Sequence, residues 1–116
     1  SEEVSRFAPM AIAAYQRVGT LDNDARYHLA LLHMTAGDLQ GARVQIDLLR
    51  KAAPQHLLAL MLEHELAARG GNKEKTAGVN KAFLTAYAAE IAKGRPEYLD
   101  HHSSIERFRA AARGGK

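Results

Sequence analysis

The sequence contains neither cysteine nor tryptophan, and only three of its 116 residues are proline. Without cysteine, disulfides, thiolate metal sites and cysteine nucleophiles are excluded. Long apolar runs are absent as well: the longest, residues 7–15 and 57–62, are far shorter than the roughly 20 residues that cross a bilayer. The sequence therefore predicts a chain that does not insert into a membrane.

A basic and then apolar leader is also missing, since the chain opens with Ser1 and an acidic stretch. Because no initiating methionine is present, we expect the sequence to be a segment of a longer protein or a processed chain, from which a targeting segment has been removed upstream. Its localisation stays open between the cytoplasm and a periplasmic or other extramembrane part of a longer protein.

Basic residues are concentrated in one half of the chain, which carries a net charge of +3. Residues 1–60 contain six acidic and six basic side chains, whereas residues 61–116 contain seven and ten. A nucleic-acid-binding module usually has a denser basic stripe with aromatic residues between the bases, but here the bases are dispersed among Glu residues. Nucleic-acid contact through the C-terminal half is therefore the least favoured of three functional hypotheses.

Helix-forming residues are abundant throughout, β-branched residues are few, and no stretch of strand length alternates polar and apolar side chains. This pattern predicts an all-α fold. Glycine and proline divide the chain into segments of helix length, at Gly19, Gly37, Pro54, Gly70-Gly71 and Gly94-Arg95-Pro96.

Polar side chains near these boundaries have the chemistry of helix N-caps. Asp22, Asp38 and Asn72 can each accept hydrogen bonds from the free N–H groups that open a helix. Ser103 and Glu106 have the spacing of a capping box, which predicts a short last helix at about residues 104–112.

The sequence matches itself when it is shifted by 34 residues, the length of two helices and a turn. The shift aligns Ala8 with Ala42, Ile12 with Ile46, Ala25 with Ala59, Leu32 with Leu66 and Gly37 with Gly71. In these features the chain resembles a divergent member of the tetratricopeptide repeat (TPR) family, and the resemblance implies a fragment of a longer, bacterial-type repeat protein. The resemblance implies antiparallel helix hairpins that stack as an α-solenoid and end in C-terminal capping helices.

The best repeat spans residues 23–56. The positions that agree with the family pattern are Leu29, Ala42, Ile46 and Pro54. The positions that depart from it are Arg26, Ala30, His33 and Leu49. Residues 8–22 would then form a partial repeat, residues 57–93 a divergent repeat and residues 95–113 the capping helices, all within one domain of residues 1–116.

Members of the family bind other proteins, and the first helix of each repeat lines a concave surface. The resemblance therefore implies a protein-interaction scaffold whose groove holds a partner peptide or helix. The residues expected to line the groove are Tyr27, Leu31, Met34, Met61, Glu65 and Ala68. The alternative is that the chain's own C-terminal helix fills the groove.

The remaining functional hypothesis is a structural element that associates with itself. The partial repeat at residues 8–22 has no first helix, which leaves an apolar face at Ile12, Tyr15 and Val18. Three coverings for this face remain open: residues 1–7, a second copy of the chain in a homodimer, or upstream repeats of a longer protein.

Signatures of catalysis and of cofactor binding are missing from the sequence. It has no Gly-rich phosphate loop, nucleophile elbow or metal motif, and its six histidines lack the i to i+4 spacing of a helical zinc site. We therefore expect no enzymatic activity, no metal site and no cofactor.

Overall fold

The computed structural model describes residues 8–14 and 21–114, and this part of the chain is mainly helical and contains no strand. The predicted all-α class is therefore confirmed for these residues. Residues 8–14 are helical and are called α1. The helices that follow are α2 (Asn23–Thr35), α3 (Leu39–Ala52), α4 (Leu57–Arg69), α5 (Lys73–Ile91), α6 (Pro96–Asp100) and α7 (His102–Arg113). None of the described helices is both long enough and apolar enough to cross a membrane.

The chain divides into two compact units, one ending at Ala52 and the other beginning at Ala53. The first unit contains α2 and α3, which pack against each other as a helical hairpin. The second unit contains the hairpin of α4 and α5, together with α6 and α7. Each unit therefore contains one of the two helical hairpins.

The first hairpin begins at an aspartate cap and buries one side of each helix. Oδ1 of Asp22 accepts a hydrogen bond from the backbone N–H of Ala25 at 2.8 Å, as the sequence predicts. On α3 the buried residues Ala42, Ile46 and Leu49 follow one another at intervals of four and three. This spacing places them along a single face of the helix, which is the face that forms the core.

Two side chains at positions that depart from the tetratricopeptide pattern, Arg26 and His33, connect parts of the first hairpin. The guanidinium group of Arg26 donates a hydrogen bond to Oε1 of Gln45 at 3.1 Å. Nδ1 of His33 lies 3.0 Å from Oδ2 of Asp38, whose other carboxylate oxygen accepts from the backbone N–H of Gly41 at 2.9 Å. A Cβ atom on Gly41 would collide with the His33 ring, so the start of α3 requires a residue without a side chain.

Both hairpins turn at a glycine with a left-handed backbone, Gly37 with φ 80° and Gly71 with φ 68°. The residue after each glycine caps the next helix. Asp38 does so for α3, and Oδ1 of Asn72 accepts from the backbone N–H of Lys75 at 3.0 Å at the start of α5. The predicted turns and caps are confirmed at these positions.

The hairpins repeat with a period of 34 residues in structure as well as in sequence. Helix α4 begins at Leu57 and α5 at Lys73, each 34 positions after the corresponding helix of the first hairpin. In both turns the N–H of the left-handed glycine donates to the carbonyl three positions earlier. The N–H of the following residue donates to the carbonyl five positions earlier, again in both turns.

Helix α7 packs on α5 and α4 through aromatic side chains. The ring centroids of Phe83 and Phe108 are 4.6 Å apart, and His64 of α4 meets Phe108 edge-on at 5.1 Å. The hydroxyl group of Tyr87 donates to the carboxylate of Glu106. These contacts attach the C-terminal helix to the second hairpin.

The capping-box prediction for α7 is wrong. The helix begins at His102, and Ser103 lies inside it rather than at its cap. The carboxylate of Glu106, which would have turned back to the helix start, instead accepts from Tyr87 and lies 3.7 Å from Nη1 of Arg109. Contacts between helices have displaced the local capping interaction.

Candidate interaction surfaces

The predicted groove residues of α2 differ in accessibility. Tyr27 and Met34 expose only 7% and 2% of their surface, whereas Leu31 is half-buried. Burial raises the pKa of the Tyr27 hydroxyl group, and the nearby carboxylate of Asp24 acts in the same direction. Tyr27 and Met34 therefore contribute to the core, and Leu31 is the most accessible of the three.

The predicted groove residues of α4 are more open to solvent. Met61 and Glu65 are half-buried and Ala68 is exposed. Oε1 of Glu65 lies 3.0 Å from Nε of Arg69, one turn later, in an ion pair at the surface. Helix α4 thus has an accessible face of mixed polarity.

The predicted self-association face is described only in part. Ile12 lies in α1 and is half-buried, whereas Tyr15 and Val18 lie outside the described residues. This face stays a prediction.

A buried polar cluster in the second unit links the start of α4 to α6. Nε2 of His56 lies 2.8 Å from Oε2 of Glu97, and Nδ1 of His56 accepts from the backbone N–H of Leu58 at 3.2 Å. Because Nδ1 is the acceptor in that bond, the proton is on Nε2, which donates to Glu97. His56 exposes 0% of its surface and Glu97 only 8%.

The cluster continues through Tyr98 to the end of α5. The Tyr98 hydroxyl group accepts from the backbone N–H of Leu57 at 2.9 Å and donates to Oε1 of Glu90 at 2.7 Å. Burial opposes ionisation of Glu90, but hydrogen bonds from Lys93 and Tyr98 outweigh it and lower the pKa of the carboxyl group. Burial likewise raises the pKa of the Tyr98 hydroxyl group, which stays neutral.

These hydrogen bonds satisfy backbone N–H groups that open α4 and attach α6 to the second hairpin. The imidazole of His56 is fully buried and uses both nitrogens within the chain, so a substrate cannot approach it. We therefore assign the cluster a structural role. No local sequence pattern indicates this cluster, because 41 positions separate His56 from Glu97.

Helix α5 turns one side toward solvent. We call this side the outer face of α5, and its exposed residues are Glu74, Ala77, Gly78, Lys81, Thr85 and Ala88. Their intervals of three and four place them along one side of the helix. Phe83 and Glu90 are buried on the other side. Apart from two opposite charges, the outer face consists of small side chains.

Two depressions flank the middle of the outer face. One has a volume of about 420 Å³ and is lined by Ala77 together with Ala112 of α7. The other has a volume of about 440 Å³ and is lined by Gly78 together with Gln55. Lys81 and Thr85 line both depressions, so the surface has a ridge with a groove on each side.

Comparison of the chain with models of known families, with curated proteins and with solved structures gives no match.

Proposed function

We propose that this chain is a helical-repeat scaffold of the tetratricopeptide type, which binds a protein partner and performs no chemistry. The observation that carries the proposal is the 34-residue recurrence of the helix–turn–helix unit. It extends to the helix starts, to the left-handed glycines Gly37 and Gly71, and to the hydrogen bonds of the turns. Repetition at this level is typical of repeat proteins, whose stacked units serve as binding surfaces.

The C-terminal helix supports the same interpretation. In a repeat array the last hairpin needs a helix that covers its apolar side and turns a polar side to solvent. Helix α7 buries Ile105 and packs Phe108 against Phe83, whereas Arg107 and Arg113 lie on its exposed side or end. We therefore interpret α6 and α7 as the cap of the array.

Each of the two units has a proposed binding face, formed by the accessible part of its own first helix. In the family that the chain resembles, these helices line the surface that binds the partner. On α2 the accessible predicted residue is Leu31, and on α4 they are Met61, Glu65 and Ala68. Substitutions at these accessible residues should weaken binding without lowering stability. Substitutions at Tyr27 or Met34 would change stability as well as binding, because both side chains are buried.

Photo-crosslinking tests this surface directly. A photoreactive residue is placed at Ala68 of α4 or, as a control, at Val44, which is 54% exposed on α3. The expected result is a specific crosslinked protein from position 68 and none from position 44. Equal crosslinking from both positions, or none from either, would contradict the proposed surface.

Binding of the purified partner is then measured by calorimetry. We expect the charge reversal Glu65→Arg to weaken binding by about tenfold, since a charge at an interface usually faces a complementary group. Val44→Arg serves as the matched control on α3 and should leave the affinity unchanged. The far-ultraviolet circular dichroism of both variants should equal that of the wild type.

A further inference from the structure

Gly78 occupies a position on α5 that the rest of the chain does not explain. It lies within a helix of 19 residues, where glycine is a poorer helix former than alanine. A Cβ atom at this position would meet nothing within 4 Å in the described part of the chain. Glycine is therefore not required by packing among the described residues, although it would allow another backbone to approach closely.

The surface around Gly78 has a ridge and grooves of the kind through which helices pack together. Ala77, Lys81 and Thr85 follow one another at intervals of four, and such a row forms a ridge on a helix. The depressions of about 420 and 440 Å³ on its two sides can each receive the ridge of a second helix. The outer face of α5 thus fits a helical neighbour.

The charges of the outer face identify which neighbour fits. Glu74 and Lys81 are seven positions apart, about two turns, and lie at equal distances on either side of Ala77 and Gly78. Both side chains are exposed, and among the described residues neither has an ion-pair partner. When two antiparallel α5 helices cross at Ala77–Gly78, Glu74 of each copy faces Lys81 of the other.

We propose that the outer face of α5 is a self-association surface, on which a second copy of this chain packs its own α5 antiparallel about a two-fold axis. A two-fold interface must be complementary to itself, and the order Glu74, Ala77-Gly78, Lys81 satisfies this condition with small residues at the crossing point and opposite charges on both sides. The outer face of α5 is a different surface from the predicted self-association face at Ile12. Dimerisation through α5 does not depend on the proposed partner-binding function.

One helix crossing of this length is a small interface. The 19 residues of α5 extend about 28 Å, and a single pair of such helices lies at the low end of specific interfaces. We therefore expect a dimer that forms reversibly and becomes populated as the protein concentration rises from micromolar to millimolar. Sedimentation equilibrium over that range measures it, and a wild-type chain that stays monomeric throughout would overturn the proposal.

Charge reversal identifies the surface within the dimer. The single variants Glu74→Lys and Lys81→Glu each place two pairs of like charges across the two-fold axis, and we expect each to weaken dimerisation by about tenfold or more. An equimolar mixture of the two variants restores opposite charges at both pairs. It should therefore form a heterodimer at least as readily as the wild type forms its homodimer.

Restoration in the mixture also shows that both variants are folded. Single variants that dimerise like the wild type, or a mixture that does not associate, would contradict the proposed pairing.

A steric variant provides an independent test: Gly78→Leu enters open space in the monomer but obstructs the crossing of the helices. We expect it to abolish the dimer without reducing helicity, and an undiminished dimer would exclude a crossing at this position.

Discussion

Nε2 of His56 lies 2.8 Å from Oε2 of Glu97, so the residue that caps α4 is held by a carboxylate of α6. The same imidazole accepts a hydrogen bond from the backbone N–H of Leu58 through Nδ1. A second proton on the ring would occupy Nδ1 and break that cap. The neutral ring is therefore the form that the folded chain requires.

The stability of the chain should depend on pH through His56. Burial lowers the pKa of the imidazole below its usual 6.5, although Glu97 acts in the opposite direction. Above about pH 6.5 the ring is neutral in both the folded and the unfolded chain, and the contribution to stability is complete. As the pH falls below that value the unfolded chain takes up the proton first, so the free energy of unfolding decreases.

Urea unfolding at pH values between 8 and 5, chosen around the usual histidine pKa of about 6.5, measures this dependence. The control is His56→Asn, which keeps a side-chain acceptor for the helix cap but cannot be protonated. We expect a smaller loss of stability below pH 6.5 in the variant, and identical slopes in both proteins would contradict the assignment.

Removing the Tyr98 hydroxyl group should destabilise the second unit. The change Tyr98→Phe deprives the backbone N–H of Leu57 of its acceptor and Glu90 of a donor, all in a buried environment. An unsatisfied buried polar group costs about 1–3 kcal/mol, and we expect a loss of this size in the free energy of unfolding. Tyr87→Phe is the matched control, since its hydroxyl group is only partly buried and should matter less.

Replacing the turn glycines should have the same effect in both hairpins. The left-handed backbone at Gly37 and Gly71 makes any residue with a Cβ atom unfavourable, so each change to alanine should cost about 1–2 kcal/mol. Gly70→Ala is the control, because the backbone at Gly70 has φ −85° and the added Cβ would make ordinary contacts. Clearly unequal costs at Gly37 and Gly71, measured by urea unfolding, would show that the two turns are not equivalent.

Two helical glycines should respond to alanine in opposite ways. Gly41→Ala drives a Cβ atom into the His33 ring and the Asp38 carboxylate, and we expect a loss of about 1–3 kcal/mol. Gly78→Ala enters open space and removes a poor helix former, so the monomer should gain about 0.5–1 kcal/mol. Thermal unfolding at low protein concentration compares the two variants, and a stabilising Gly41→Ala would contradict the close packing at the start of α3.

The turns of the two hairpins could be predicted from the sequence because their causes are local. Gly37 and Gly71 turn the chain without a steric penalty, and Asp38 and Asn72 cap the helices that follow. All the interactions involved join residues within five positions of one another. The recurrence of these turns after 34 positions has the same local causes, whereas the all-α class could be predicted from the abundance of helix-forming residues.

The candidate surfaces could be predicted only in part, because helical periodicity places a residue on a face but does not say what covers it. Tyr27, Leu31 and Met34 lie within two turns of α2, yet two are buried and one is half-buried. The outer face of α5 was not identified because its alanines, glycine and threonine carry no motif. Its ridge and depressions also depend on residues distant in the sequence, since Ala112 and Gln55 line the two depressions.

The sequence by itself determined where each hairpin turns and where α2, α3 and α5 start, since backbone conformation and capping at these positions are decided among near neighbours. Only the tertiary structure decided that His56 binds Glu97 and that Glu106 binds Tyr87 rather than capping α7. Those pairs join residues 41 and 19 positions apart. Their partners are set by which helix faces pack together, and burial makes such hydrogen bonds costly to leave unmade.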